Sequence, residues 1–263
     1  MGICRLCLKM KPLMDSHMLS KAAYKRVRGE GRNPHPYFAS EDMAIQTSHQ
    51  ITDYLLCADC EKRFSEEGEN PFFQYCLQPD GRFRLLEELR SNGPVLETAD
   101  HDIYQMPESV EGIVHNLAYF GTSIFWRSAV HDWKVREEPV VKVQLGKAHL
   151  EQFRSFLLGG YCYPPDASLV IEISDESNRL ANMFNTPASK RTDTNYIHWF
   201  DMCGVHFNLF VGSRMPKELR TLSVYGGQRV LAVAKRKEAF MARMYRKHLS
   251  VYTGTKPSTK THP

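Results

Sequence analysis

The sequence predicts an α+β protein: a small N-terminal module closed by cysteine pairs, then a larger mixed domain of helices and antiparallel strands. Three observations carry this expectation. Cys4-Arg5-Leu6-Cys7 and Cys57-Ala58-Asp59-Cys60 form two C-x-x-C knuckles. Ile113, Leu117, Phe120 and Ile124 recur at helical spacing, and the opposite side, with Val114, Ala118, Phe125 and Ala129, is apolar too. A helix apolar on both sides is expected to be buried over most of its girth. From residue 169 onward the texture changes to short β-rich runs, 169–173, 196–202, 205–211, 221–225 and 230–233, with Cys203-Gly204 and Gly226-Gly227 as turns.

In chain order, residues 13–18 read as a strand. Ser20 is placed to cap a basic helix running from Lys21 through Lys25, Arg26 and Arg28 to a stop at Gly29. Residues 31–40 read as loop, with Pro34 and Pro36 flanking His35, and 45–56 as an extended run into the second knuckle. Residues 61–67 read as helix, interrupted by Gly68, and Phe72, Phe73, Tyr75 and Leu77 as an apolar hinge. Pro79-Asp80-Gly81 marks the expected boundary between a module over 1–78 and an α+β domain over 79–263. In that domain, helices are expected over 83–90, over 147–158 with a stop at Gly159-Gly160, and over 237–249.

Composition limits the function classes. At 263 residues the chain is long enough to bury a sizeable core, and a net charge of +4 permits a nucleic-acid partner without requiring one. Seven cysteines is an odd number, and four fall into metal spacing, which fits a reducing cytoplasm better than a disulfide scaffold. No apolar leader precedes the first knuckle, and the most apolar window, 117–130, is broken by Ser123 and Arg127. No membrane partner is therefore expected.

Two knuckles can close a tetrahedral thiolate cage, because each offers two sulfurs from one tight turn. Cys4, Cys7, Cys57 and Cys60 are the expected zinc ligands. Four thiolates leave no open position for water, so that zinc is structural, and any catalysis needs a second metal or a metal-free base. His17, beside Asp15 and Ser16, is the candidate base, with Glu61 directly after the second knuckle.

With these residues in place, the N-terminal segment resembles the HNH endonucleases of the ββα-metal type. The matching stretches are Ser16-His17-Met18-Leu19-Ser20 and Leu55-Leu56-Cys57-Ala58-Asp59-Cys60-Glu61. The resemblance covers roughly residues 1 to 75. It implies a ββα-metal module in which His17 deprotonates the attacking water while a divalent ion, Mg²⁺ or Mn²⁺, stabilises the phosphate and the leaving oxygen. Glu61 stands where the family has a final histidine and can still ligate a hard ion through oxygen. Ser16 stands where an acidic ligand is usual, with Asp15 adjacent, and Ser20 where a proline is usual. Thr52 or Asp53 falls nearest the family's asparagine. The resemblance also implies a role in bacterial anti-phage defence.

Two functional readings stand at this point. In the first, the chain is an HNH-type endonuclease whose 79–263 domain regulates it, recognises a protein partner or forms a homo-oligomer. Lys21, Lys25, Arg26 and Arg28 follow His17 directly, where phosphates of a nucleic acid, DNA above all, would lie. In the second, the same frame is a zinc-stabilised binding module without catalysis. Glu61 is then a helix-start carboxylate that favours the dipole.

Overall fold

A computed structural model describes residues 1–26, 37–39, 44–46, 50–78, 80–106, 111–135, 138–140, 142–160, 162–174, 184–225 and 230–235. The expected Arg28, the loop around His35, the Gly226-Gly227 turn and the 237–249 helix lie outside these residues. Within them the fold is mixed α and β, with one large, mostly antiparallel sheet.

The first knuckle sits between two short antiparallel strands, β1 (Gly2–Ile3) and β2 (Met10–Lys11). Strand β3 (Leu13–His17) follows, then helix α1 (Lys21–Arg26). The Ala22 amide donates to Ser20 Oγ at 3.3 Å, so Ser20 caps α1 as its side chain allows. The stretch expected as loop over 31–40 ends instead in a strand, β4 (Tyr37–Ala39), whose Tyr37 and Phe38 favour extended backbone and which pairs antiparallel with β5 (Ala44–Gln46); β6 (Thr52–Cys57) follows. It pairs antiparallel with β3, placing His17 opposite Thr52, with a register shift between Leu13 and Asp15. β6 runs without a break into α2 (Ala58–Phe64).

Gly68 does not stop this helix. A π-helical segment, Ser65–Glu69, carries α2 directly into α3 (Asn70–Tyr75). A Cβ on Gly68 would lie 3.2 Å from the Phe120 backbone, so the glycine serves close helix approach rather than termination. Phe72 and Phe73 are likewise not a hinge but the buried face of α3, and Phe72 stacks on Phe120 at 4.1 Å and 7°.

The second part begins with α4 (Arg84–Arg90) and the strands β7 (Leu96–Glu97) and β8 (His101–Gln105). The long helix α5 (Glu111–Val130) follows, then the pair β9 (Lys134–Val135) and β10 (Glu138–Pro139), and α6 (Lys147–Leu157). Strands β11 (Ala167–Ser174), β12 (Ala188–Arg191), β13 (Tyr196–Met202) and β14 (Val205–Val211), helix α7 (Lys217–Leu222) and β15 (Val230–Ala234) complete the described chain. Seven strands form one sheet in the order β12-β13-β14-β11-β15-β8-β7, with only β11 and β15 parallel. The expected strand over 221–225 is replaced by the end of α7 and a turn. Its alternating residues are too few to outweigh the helical start at Pro216, whose carbonyl accepts from the Arg220 amide.

Helix α5 is the shared wall. Every residue from 117 to 129 is buried. One side packs on the sheet, with Phe125 against Phe200 at 5.0 Å, and the other takes the π segment and α3. One hydrophobic cluster therefore runs from Cys4 to Val233 across both halves. At Gly121 a Cβ would come within 2.5 Å of Phe207 Cδ1, on a ring held by stacking on Phe200 at 4.7 Å. Gly121→Ala is expected to cost about 1–3 kcal/mol in urea unfolding, by forcing that ring from its place. Gly112→Ala, on the same helix with nothing within 4 Å, should leave stability unchanged or slightly raised. Equal midpoints for the two variants would refute the close contact.

Candidate functional site

The four knuckle sulfurs converge. All lie within 4.8 Å of one another, and the Sγ atoms of Cys7 and Cys57 are 3.9 Å apart. Tetrahedral Zn–S bonds of about 2.3 Å would put sulfurs about 3.8 Å apart, so the cluster can hold a metal ion such as zinc. The backbone is shaped for this. Cys4 accepts the Cys57 amide through sulfur at 3.3 Å, and the Leu8 amide closes the first knuckle on the Cys4 carbonyl, with Leu8 at φ 58°. Burial pushes the Cys4 and Cys60 thiols up, which leaves the cage poorly ionised until a cation compensates. Burial also acts to raise Cys7, but the Lys9 amide and the neighbouring sulfurs outweigh it and lower that thiol.

The cage is tied to the rest of the chain. The Lys11 ammonium meets Asp59 at 2.6 Å, joining the first knuckle to α2. The Arg154 guanidinium donates to the Leu6 carbonyl at 2.8 Å, joining it to α6. Among the described residues, no other group of three or more metal-binding side chains comes together.

His17 ends β3 and is half-buried. Its Nε2 lies 2.6 Å from Gln50 Oε1. An amide oxygen only accepts, so this contact makes Nε2 the protonated nitrogen and leaves the Nδ1 lone pair as the basic one. Strand alternation puts Asp15 on the same face as His17 and Ser16 on the other. The burial agrees: Asp15 is exposed and Ser16 fully buried. Ser16 Oγ accepts the Leu56 amide at 3.0 Å and donates to the Met14 carbonyl at 3.4 Å, so its hydroxyl is consumed inside the hairpin. Asp53 pairs with His131 at 2.8 Å, and that contact holds its carboxyl below the usual range.

Glu61 projects from α2 with Oε1 buried and without a hydrogen-bond partner. Glu69 is more firmly placed. It accepts from Ser20 Oγ at 2.9 Å and from Arg127 at 2.9 Å. Arg127, from α5, is 1% exposed and also donates to the His17 carbonyl at 2.8 Å, with its guanidinium 5.1 Å from the Phe64 ring centroid. Among the basic residues after His17, Lys21 and Lys25 are exposed. Arg26 turns inward and donates to the Phe73 and Leu77 carbonyls, capping the end of α3.

Sequence reasoning missed Gln50, Arg127 and the structural use of Glu69. For Gln50 nothing in the pattern singled it out. For Arg127 a signal existed: a charge inside an otherwise apolar helix must find a buried partner. The chain matches no protein-family profile, no curated protein and no solved structure.

Two outcomes follow from the geometry. Metal analysis of the purified protein should return about one zinc per chain. Cys57→Ser or Cys60→Ser should lose it, and acid should release it as the thiolates take up protons. Protein prepared without any metal that still melts as the native form would refute a cage. Arg127→Met should cost about 3–5 kcal/mol, because it strands Glu69 and the His17 carbonyl. Adding Glu69→Gln should recover part of that loss in a double-mutant cycle, and strict additivity would show that the pair is not coupled.

Proposed function

We propose that the chain is an HNH-type (ββα-metal) endonuclease that hydrolyses phosphodiester bonds of nucleic acid, with His17 as general base. The observation that carries this reading is the order of elements around the cage. A strand ending in His17 pairs antiparallel with a strand that runs straight into a helix at the second knuckle, and the four sulfurs meet where that strand becomes the helix.

The base is prepared by its partner. Gln50 fixes the proton on Nε2, so Nδ1 can accept a proton from water aimed at phosphorus. The thiolate cage takes no part, since it has no open position. Asp15 beside His17 and Glu61 on α2 are the carboxylates that would hold Mg²⁺ or Mn²⁺, and Glu61 fits a hard ion because its Oε1 is buried with no protein donor. Bound there, a divalent ion would stabilise charge on the phosphate and the leaving oxygen. Lys21 and Lys25 are the exposed cations available to DNA phosphates. In this reading the residues from 79 on regulate the module, recognise a protein partner or pair two copies.

A second reading has its own observation. Ser16, where an acid is usual in the resembling family, is committed to the Leu56 amide, and only the cysteines gather as a metal cluster among the described residues. On that reading the module binds nucleic acid or protein without cutting.

The discriminating experiment offers supercoiled DNA and single-stranded RNA to the purified protein with Mg²⁺ or Mn²⁺. Endonuclease action predicts nicking that His17→Ala reduces by a factor of about 100 or more, while zinc content and melting temperature stay constant. Gln50→Leu should lower cleavage less and displace its pH profile. No cutting with either ion, together with retained DNA binding that Lys25→Glu weakens, selects the binding module. Undiminished cutting by His17→Ala removes His17 from the mechanism.

A further inference from the structure

A cavity of about 400 Å³ lies in the other half of the chain, at the corner where α7 meets β11. That size falls within the range of small-molecule sites, roughly 300–1,000 Å³. Its wall is aromatic and rigid. Tyr163 and Tyr225 stack on each other at 4.6 Å and 14°, and Pro164 and Pro165 continue the surface. The pair is fixed from behind by α5: Tyr225 Oη is 3.0 Å from His115 Nδ1, and Tyr163 Oη is 3.4 Å from Thr122 Oγ1. The segment before Tyr225 is pinned to the sheet by the Val224 amide, which donates to the Leu169 carbonyl.

Two polar groups point to a ligand. Ser168 is only 2% exposed as a residue and lines the cavity, so the small part of it left accessible faces that space. A hydroxyl on the wall of a cavity is a position at which a ligand atom can form a hydrogen bond. Arg220 stands at the exposed rim and makes no ion pair among the described residues. Asp166, which falls between the lining residues Pro165 and Ala167, is occupied by His149 at 2.9 Å and does not line the cavity. The lining thus carries one cation and no acid.

We infer that this cavity is a binding site for a planar aromatic anion of nucleotide size, with its ring against the proline and tyrosine surface, its anionic group on Arg220, and a polar ring or sugar atom on Ser168. A flat ring suits rigid rings that are already held in place, since little side-chain freedom is lost on binding. A guanidinium favours phosphate or carboxylate through paired N–H donors. Proline and tyrosine faces together select for ring over chain. This inference stands apart from the nuclease reading, because it uses none of the residues near His17.

Isothermal titration of the full chain with adenosine 5′-monophosphate tests it, and this probe contains no phosphodiester to be cut. Saturable binding is expected, with adenosine and inorganic phosphate each weaker by about tenfold or more, since each lacks one half of the recognition. Arg220→Gln should weaken the nucleotide by about tenfold at an unchanged melting temperature, because the side chain is exposed and makes no ion pair among the described residues. Ser168→Ala should weaken it by a smaller factor. His17→Ala should leave the affinity unchanged, which separates this site from the nuclease module. If a simple aromatic carboxylate binds as tightly and with the same Arg220 dependence, the site holds and the ligand is an aromatic acid rather than a nucleotide. The absence of saturable binding by either probe, or nucleotide binding indifferent to both Arg220→Gln and Ser168→Ala, overturns the inference.

Discussion

The buried guanidinium of Arg127 sets the arrangement that the rest of the chain accommodates. A charge 1% exposed in the middle of an apolar helix is tolerable only with a counter-charge and hydrogen-bond partners for most of its donors. Glu69 supplies the charge, the His17 carbonyl and Ser123 Oγ take further N–H groups from the two terminal nitrogens, and the Phe64 ring lies 5.1 Å from the guanidinium, while Nε is buried without a hydrogen-bond partner. These partners come from β3, the π segment and α2, so one side chain fixes how the hairpin, the knuckle helix and α5 lie against each other. The backbone of His17 is thereby anchored from the opposite half of the chain, and what that histidine can reach is set partly by a helix more than one hundred residues away.

The π segment makes that anchoring possible. A π turn rotates the helix face relative to a regular α-helix. Here it lets Cys60 and Phe64 on one side, and Phe72 and Phe73 on the other, all reach buried positions while Gly68 closes on Tyr119 and Phe120. The same rotation leaves Glu69 turned toward Ser20 and Arg127.

Much of this was readable in the residues, for stated reasons. The C-x-x-C spacing announced a cage because four thiolates in two turns have few other uses. Strand β3, helices α1, α5 and α6, and strands β11, β13, β14 and β15 follow from periodicity and from stop residues such as Gly159, which adopts φ 94°. What could not be read was tertiary. Gly68 looks like a breaker because propensity does not register a neighbouring helix pressing on it. Arg26 looks like a phosphate contact because nothing local shows that the end of α3 needs its donors. The pairing of Asp53 with His131 spans 78 residues, and no window includes both.

Ser16 shows how a departure from the resembling family can follow from packing. Its position lies on the inner face of a hairpin whose register shifts between Leu13 and Asp15, and there the Leu56 amide needs an acceptor. A hydroxyl meets that need and fills the small space. A carboxylate at the same fully buried position would carry an unpaired charge, at a cost of several kcal/mol. An acidic ligand in this chain is therefore compatible with the hairpin only on the outer face, where Asp15 stands beside His17, or from the helix, where Glu61 leaves an oxygen unsatisfied. The cysteines themselves come from the first knuckle and from the junction of β6 with α2, so the sulfur cluster ties the hairpin that ends in His17 to the helix that carries Glu61.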